Sequence, residues 1–298
     1  MSDTVTVRVP AKVNVQLAVG AARPDGFHDL ANVFLAVSLY DEVTATPADE
    51  LTVTCAGPDA DKVPLDRTNL AARAAEILAE RAGLSPDVHL HIEKRIPVAG
   101  GMAGGSADGA AALLACDALW GLKTPAEELL AICAELGSDV PFSLVGGAAL
   151  GTGRGEILTP VPAGTFHWVF AVADGGLSTP AVFREFDRLT AGTEVPVPQA
   201  SPALLAALAS GDPDALAATL ANGLQPAALS LRPSLADTLA AGTEAGALAA
   251  LVSGSGPTTA FLVRDAESAT KVAAALAASG TCRTTHPATS PAPGATLL

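Results

Sequence analysis

Four glycines within six residues, at positions 100, 101, 104 and 105, join an extended segment to a long apolar helix in the stretch KRIPVAGGMAGGSADGAAALLACDALWG. Glycine leaves backbone N–H groups uncovered, and the first turn of a helix carries unpaired N–H groups and the positive end of the helix dipole. Both features meet at one point of the chain, so the sequence predicts an anion site built from backbone. A flexible turn or a close helix contact is the alternative explanation.

The periodicity of apolar residues predicts a mixed α+β fold. Alternation indicates strands over residues 5–17, with a bend at Pro10, and over residues 32–48, 50–57, 87–96, 141–153, 155–161 and 166–174. Helices are predicted over residues 68–83, with Thr68 as N-cap, and over 106–120, 124–137 and 179–189. We expect a first domain of residues 1–158 and a second of 159–298, with a frayed tail after residue 286.

Charge and hydropathy exclude several classes of partner. The formal net charge is −14, with only 17 Lys and Arg residues, so binding to a nucleic-acid backbone is not expected. No stretch approaches the ~18 unbroken apolar residues of a membrane span, and the first ten residues lack the pattern of a signal peptide. The four cysteines contain no Cys-x-x-Cys pair, so reduced thiols in a cytoplasmic protein are expected.

The common phosphate-loop motifs do not fit this chain. It contains no Gly-x-x-x-x-Gly-Lys-Ser/Thr, and the glycines of GTGRGE, residues 151–156, lead into an extended segment rather than a helix. Instead, PVAGGMAGGSADGAA resembles the second motif of the GHMP kinase superfamily, in which a glycine cluster opens a helix over the phosphates of ATP. LVSGSGPTTAFL, residues 251–262, resembles the third motif of that superfamily.

Two further segments resemble one branch of that superfamily, the kinases that phosphorylate a cytidine-diphosphate-linked methylerythritol in non-mevalonate isoprenoid biosynthesis. They are VPAKVNVQLAVGAARPDGFHDLANVF, residues 9–34, and ELGSDVPFSLVGGAALGTGRGEILTPV, residues 135–161. The resemblance implies a two-lobed GHMP kinase fold, with an N-terminal lobe like domain 2 of ribosomal protein S5 and a ferredoxin-like C-terminal lobe. It also implies transfer of a phosphoryl group from ATP to the 2-hydroxyl of the substrate, with Mg²⁺, in a monomer or weak homodimer.

The resemblance also implies roles for individual residues. Lys12 and Asp139 are implied as catalytic, with Asp139 as the candidate base and Lys12 as a stabilising cation. The implied ATP-binding residues are Asn69, Lys94, Pro97, Val98, Ala99, Gly100, Gly101, Met102, Ala103, Gly104, Gly105 and Ser106. The implied substrate-binding residues are Asn14, Phe27, His28, Thr179, Phe183, Gly254, Ser255 and Gly256. Ser106 is the candidate hydroxyl for Mg²⁺, and no residue is assigned as a direct protein ligand of a metal.

The sequence departs from the branch pattern at two points. Ala107 stands where a second serine is common, and Phe27 stands where tyrosine is commoner, so the aromatic face is kept without its O–H donor.

Two other functions stay open at this stage. One is a homoserine or mevalonate type of kinase, which has no use for a cytosine clamp at Phe27 and His28; the other is a nucleotide-binding regulator without activity, against which Lys12 and Asp139 argue.

Overall fold

The structure is a computed structural model that describes residues 4–298, so the first three residues of the predicted first domain lie outside it. The strands are β1 Val5–Ala22, β2 His28–Pro47, β3 Thr52–Ala56, β4 Val88–Glu93, β5 Ala148–Thr152, β6 Ile157–Pro160, β7 Phe166–Val172, β8 Ala221–Asn222, β9 Ala249–Val252, β10 Thr259–Val263, β11 Thr284–Ser290 and β12 Thr296–Leu297. The helices are α1 Leu70–Ala82, α2 Gly104–Trp120, α3 Ala126–Leu136, α4 Val140–Val145, α5 Thr179–Thr190, α6 Pro202–Ser210, α7 Pro213–Ala217, α8 Gln225–Leu231, α9 Leu235–Glu244 and α10 Ala266–Ser279. The mixed α and β content confirms the predicted fold class.

The first sheet is built on the long antiparallel pair of β1 and β2, with the path β12-β1-β2-β4-β3 and with β5, β6 and β8 attached to it. β1 continues through Pro10 as one strand because a register shift between Pro10 and Ala11 absorbs the missing N–H. Its apolar side chains, from Val7 to Val15, are fully buried against α2 and its neighbours. This sheet therefore holds β1 and the start of α2 in fixed relation.

The second sheet has the order β11-β7-β10-β9, with every pair antiparallel. Along the chain its elements run β7, a group of helices, β9, β10, α10 and β11, which is the β-α-β-β-α-β arrangement of a ferredoxin-like lobe. The helix α10 packs its apolar face, including Val272 and Leu276, on Val169 and Phe261 of the sheet. The turn between β9 and β10 carries the sequence SGSGP and points toward the first sheet.

Two sequence predictions need correction. Residues 140–145 form a helix, not the start of a strand, because Pro141 lies in the first turn, where its missing N–H costs nothing; the strand begins only at Ala148. The tail after residue 286 is paired, not frayed: β11 pairs with β7 and β12 with β1. Its composition suggested disorder, but Ala288 and Ser290 are buried and Trp168 Nε1 donates to Ser290 Oγ at 2.9 Å.

The predicted domain boundary at residue 158 stays a prediction. Residue 158 lies inside β6, and β8 and β12, which come from the second half of the chain, pair with β1 in the first sheet. A bidentate ion pair between Asp59 and Arg283, at 2.5 and 2.7 Å, also joins the two halves. Among residues 4–298, none of the helices has the length and hydropathy needed to cross a membrane.

Candidate active site

A cavity of about 780 Å³ lies where the glycine loop, the β1–β2 hairpin and the start of α5 meet. It is lined by residues 99–101 and 103–106 on one side and by Phe27, His28 and Phe183 on the other, and Asp139 also lies on its wall. The cavity thus brings together segments that are more than 150 residues apart in the chain. Its two ends differ in chemistry: one is bare backbone and the other is aromatic.

The glycine loop is shaped by alternating left-handed residues, and two of them are alanines. Ala99, Gly101 and Ala103 have positive φ values of 52°, 77° and 61°, whereas Gly104 and Gly105 begin the helix α2 with ordinary helical backbone. Among the four glycines of the cluster, only Gly101 has a positive φ. Positive φ at Ala99 and Ala103 costs energy and marks a segment held by its surroundings.

The surroundings that hold the loop come from two other segments. Ser253 Oγ donates to the carbonyl of Gly101 at 3.0 Å, and the N–H of Thr258 donates to the carbonyl of Gly100 at 3.2 Å. On the other side, the N–H of Lys12 donates to the carbonyl of Met102 at 3.3 Å. The loop is therefore clamped between β1 and the turn that follows β9.

Glycine is required in the loop for close packing as well as for backbone conformation. A Cβ on Gly101 would overlap the carbonyl oxygen of Ser253, and a Cβ on Gly104 would lie 2.9 Å from Lys94 Nζ. A Cβ on Gly105 would meet nothing within 4 Å, although Gly105 lines the cavity. The open space over Gly105 is room for a ligand that approaches the first turn of α2.

That first turn fits the phosphates of a nucleotide. The N–H groups of its first residues have no partner inside the helix, and the positive end of the dipole of this 17-residue helix faces the cavity. Ser106 lines the cavity beside it and adds a hydroxyl. The residues present can therefore bind several phosphate oxygens without a basic patch.

Lys12 and Asp139 are close together, as their assignment to one site requires. Lys12 Nζ lies 3.4 Å from Asp139 Oδ2 and donates to Asn14 Oδ1 at 2.7 Å, and Asn14 Nδ2 donates to Asn32 Oδ1 at 2.7 Å. The Lys12 side chain is buried, whereas that of Asp139 is 31% exposed and lines the cavity. Asp139 stands at the N-cap position of α4 but makes no capping hydrogen bond, so its carboxylate is available to a ligand.

His28 is held in place at the aromatic end of the cavity. Its Nε2 lies 2.8 Å from Asp187 Oδ1, and its ring lies 4.9 Å from that of Phe183 with a tilt of 34°. A proton on Nε2 donates to the Asp187 carboxylate, which makes Nδ1 an acceptor in the neutral ring. Phe27 is 49% exposed on the cavity wall, and the guanidinium carbon of Arg154 lies 5.1 Å from its ring centre.

Thr179 and Ser255 meet at a third point of the cavity wall. Their hydroxyl oxygens are 2.9 Å apart, which joins the start of α5 to the turn after β9. Gly254 lies one residue away with a φ of 56°, and a Cβ there would come within 3.3 Å of Lys12 Nζ. Gly254 therefore leaves space for the lysine instead of lining the cavity, and Gly256, with a φ of 79°, shapes the same turn.

The structure does not bring all predicted residues to the cavity. Pro97, Val98 and Met102 belong to the loop but do not line it, and Met102 is fully buried. Asn69 caps α1, with Oδ1 accepting from the N–H of Ala71 and Nδ2 donating to the carbonyl of Pro64, so its side chain has a structural role that sequence reasoning had given to Thr68. Lys94 is buried in an ion-pair cluster and does not reach the cavity.

Sequence reasoning also missed six polar residues that line the cavity: Asn32, Ser138, Arg154, Ser178, Arg184 and Asp187. Asn32 interrupts an otherwise apolar segment of β2, which was an available signal. Asp187 follows Phe183 by one helical turn on α5, a spacing that places both on one face. Arg154 and Arg184 had no local signal, because a surface arginine near a turn is ordinary.

Comparisons with known proteins identify the family of this chain. Residues 69–147 match the family described as GHMP kinases N terminal domain, and residues 204–282 match GHMP kinases C terminal. The chain is 77% identical over 296 residues to the 4-diphosphocytidyl-2-C-methyl-D-erythritol kinase of Streptomyces avermitilis, covering 99% of this chain and 100% of that protein. It is 56% identical over 298 residues to the same kinase of Mycobacterium tuberculosis, covering 100% of this chain and 94% of that protein.

Two solved kinase structures have a fold similar to that of this chain. A crystal structure of 4-(cytidine 5'-diphospho)-2C-methyl-D-erythritol kinase has a TM-score of 0.77 and 34% identity, covering 96% of this chain and 99% of that one. A homoserine kinase from Cytophaga hutchinsonii also has a TM-score of 0.77, covering 100% of this chain and 98% of that one, but at 20% identity it shows the fold alone.

Proposed function

Since this chain belongs to the GHMP kinases, and among them to the 4-diphosphocytidyl-2-C-methyl-D-erythritol kinases, we propose that its cavity transfers the γ-phosphoryl group of ATP to the 2-hydroxyl of 4-diphosphocytidyl-2-C-methyl-D-erythritol. The products are ADP and the 2-phosphate. The observation that carries the proposal is one cavity with bare backbone at one end, an aromatic histidine pocket at the other and Asp139 on its wall, with buried Lys12 at 3.4 Å from Asp139.

The Lys12–Asp139 pair supplies the chemistry of transfer. Asp139 accepts the proton of the attacking hydroxyl, or orients that hydroxyl by accepting its hydrogen bond. Lys12, held by Asn14 and buried beside Asp139, stabilises negative charge that develops on the transferred group. Because phosphoryl transfer depends mainly on positioning and charge, this pair and the loop are sufficient protein groups for the reaction.

The glycine loop and α2 hold the phosphates of ATP. The N–H groups of the first turn point at the oxygens, and the space over Gly105 admits them. Bound Mg²⁺ would neutralise part of the phosphate charge, and Ser106 and Asp139 are oxygen donors on the cavity wall that fit such an ion. Among residues 4–298 there is no cluster of three His, Cys, Asp or Glu side chains, so phosphates and water would supply most of its ligands.

The aromatic end accepts the cytosine. Phe27 and Phe183 offer ring faces for stacking, which accept any base, so selection must come from hydrogen bonds at the base edge. With its Nε2 proton on Asp187, His28 presents an acceptor at Nδ1, which suits the amino group of cytosine and not the carbonyl of uracil. Arg154 and Arg184 are the guanidinium groups of the cavity lining and can meet the diphosphate of the substrate.

The same proposal covers partners and location. The net charge of −14 opposes contact with nucleic acid, and both ligands are small anionic molecules. We therefore place the protein in the cytoplasm, where ATP is available, as a monomer or weak homodimer whose cavity is formed within one chain.

ADP release measured over a panel of alcohols tests the proposed function. The panel contains 4-diphosphocytidyl-2-C-methyl-D-erythritol, its uridine analogue, homoserine and mevalonate. We expect kcat/KM to be highest for the cytidine compound and lower by roughly 10- to 100-fold for the uridine analogue, because an unpaired polar group costs about 1–3 kcal/mol.

Each alternative outcome of the panel has a separate meaning. Equal kcat/KM for the cytidine and uridine compounds contradicts the role of His28 but not the kinase activity. Preference for homoserine or mevalonate contradicts the substrate assignment. ADP release with none of the four compounds, by protein that binds ATP, contradicts the proposed reaction.

A further inference from the structure

Lys94, Asp41 and Asp108 form a buried ion-pair cluster behind the glycine loop, on the side away from the cavity. Lys94 Nζ donates to Asp41 Oδ2 and to Asp108 Oδ2, each at 2.6 Å, and the three side chains are 2%, 0% and 3% exposed. Burying such charges costs about as much as their attraction returns, and apolar residues of the same size are often as stable. A role beyond stability is therefore a reasonable expectation for this cluster.

The cluster contacts the loop at both of its ends. Asp41 Oδ1 accepts from the N–H groups of Arg95 and Ile96, at 2.6 and 2.8 Å, just before the loop begins. At the other end, the Lys94 ammonium lies against Gly104, where a Cβ would be 2.9 Å from Nζ. The absence of a side chain at Gly104 is thus what lets a buried cation approach the first turn of α2.

The position of the Lys94 ammonium beside Gly104 is unfavourable for the helix α2 when no ligand is bound. A cation near a helix N-terminus opposes the positive end of the helix dipole, which is why natural helices favour acidic residues there. For an anion bound on the other side of the same turn, the dipole and the ammonium act in the same direction. The arrangement costs energy in the free protein and returns it when phosphates are bound.

Asp41 and Asp108 do not neutralise the charge of the Lys94 ammonium to the same extent. Asp41 accepts three hydrogen bonds, whereas Asp108 has an Oδ1 with no partner among the described residues. Burial raises the pKa of Asp108 well above its usual range, and the charge of Lys94 only partly offsets that effect. Burial alone would lower the pKa of Lys94, but Asp108 and Asp41 outweigh it and raise that pKa. The Lys94 ammonium, and neither carboxylate, is among the three atoms nearest to a Cβ built on Gly104, so the positive group of the cluster faces the first turn of α2.

We propose that Lys94 is a positioning residue that strengthens phosphate binding from behind the glycine loop, through buried charge and without contact with the nucleotide. The inference rests on the proposed ATP site and assigns to Lys94 a role different from the direct nucleotide contact predicted from the sequence. It implies an effect that grows with the number of phosphates on the ligand, because a fixed charge acts on ligand charge. A purely structural lysine would affect every adenine ligand alike.

Calorimetric titration with ATP, ADP, AMP and adenosine in magnesium-free buffer tests the inference. For Lys94→Met we expect ATP to bind roughly tenfold more weakly, with progressively smaller losses for ADP and AMP, and adenosine to bind within about twofold of the parent. The matched control is Lys271→Met, which removes the same charge from the exposed surface of α10 and should leave all four affinities unchanged. Equal losses for ATP and adenosine, or no loss for ATP, would overturn the inference.

A second variant keeps the inference testable if Lys94→Met fails to fold. Lys94→Met leaves Asp41 buried without its cation, so Lys94→Met/Asp41→Asn removes both charges and keeps an acceptor for the N–H groups of Arg95 and Ile96. A graded series with smaller losses is expected for this variant, because a negative charge is removed together with the ammonium, and a flat series overturns the inference. If the parent itself fails to bind ATP, the proposed function fails instead.

Asp108→Asn tests the contribution of the Asp108 carboxyl. Asn retains an acceptor for Lys94, so ATP affinity should stay within about twofold of the parent at pH 7. A gain of about fivefold or more would mean that Asp108 is ionised in the parent, which contradicts the field proposed for the cluster.

Discussion

Two lysine–aspartate groups flank the glycine loop, and they differ mainly in their access to water. Lys12 and Asp139 are 3.4 Å apart on the cavity side, and Asp139 is partly exposed. Lys94 lies 2.6 Å from each of Asp41 and Asp108 on the opposite side, in a cluster that water does not reach. The same pair of residue types therefore provides a reactive group on one side of the loop and a fixed charge on the other.

The difference shows that burial, and not residue type, decides what a carboxylate can do. An exposed carboxylate such as Asp139 can exchange a proton with a ligand at little cost to the fold. A carboxyl such as Asp108, whose pKa burial raises well above its usual range, and a buried cation such as Lys94 cannot be removed without affecting the packing around them. Changes on the two sides of the loop should therefore separate catalysis from stability.

The largest expected effect is on catalysis by Lys12 and Asp139. Asp139→Asn retains the shape of the side chain but cannot take a proton, so kcat should fall by ~10² to 10⁴ if Asp139 is a general base, or roughly 3–5 kcal/mol of barrier. Single-turnover transfer at saturating ATP and substrate measures the loss, and thermal unfolding should be unchanged. A loss of less than about tenfold would restrict Asp139 to orienting the hydroxyl.

The next largest effect is on stability, and it distinguishes Lys94 from Lys12. Lys94→Met leaves buried Asp41 without its cation, so urea unfolding should show a loss of about 3–5 kcal/mol. Lys12→Met leaves Asp139, which water can reach, and should cost much less while lowering kcat. Similar stability losses for both variants would remove the distinction drawn between the two sides of the loop.

Two loop glycines extend the comparison with smaller effects. Gly101→Ala places a Cβ on the carbonyl oxygen of Ser253 at a φ of 77°, so we expect a loss of about 1–3 kcal/mol in unfolding free energy.

Gly105→Val projects into open cavity space and should leave stability within about 1 kcal/mol of the parent, since only helix propensity changes. Calorimetry should nevertheless show much weaker ATP binding. Parent-like ATP affinity for Gly105→Val would mean that the phosphates do not approach this turn.

The smallest effect is a change in the pH dependence of stability. Because the folded pKa of Asp108 is raised, the folded state keeps a proton that the unfolded state loses above about pH 3.9, and stability falls as pH rises from there toward the folded pKa. Asp108→Asn lacks that slope, so its stability relative to the parent should increase between pH 5 and pH 8. Cys55, whose pKa burial raises to about 11, does not titrate in that range.

Urea unfolding at several pH values measures this difference. A stability difference between Asp108→Asn and the parent that is constant with pH would mean that Asp108 is ionised in the folded protein throughout the range. The same result would weaken the electrostatic role proposed for Lys94.

Much of the fold and part of the site could be predicted from the sequence. The apolar periodicity indicated most strands and helices, and the motif residues Lys12, Asp139, Phe27 and His28 identified the family that the comparisons confirm. The predictions failed where composition or local pattern was outweighed by distant partners. The tail after residue 286 is ordered because β7 and β1 pair with it, and Lys94 is buried because Asp41 and Asp108 converge on it.

The sequence by itself determined the glycine loop and the helix start that predict an anion site, since uncovered backbone N–H groups and a helix start are local properties of the chain. Only the tertiary structure decided which charges serve that site. Asp187 reaches His28 across 159 positions of the chain, and Asp41 reaches Lys94 across 53. Burial and hydrogen-bond partners of this kind depend on how distant segments pack, and they determine whether a lysine meets a ligand or acts on it from behind the loop.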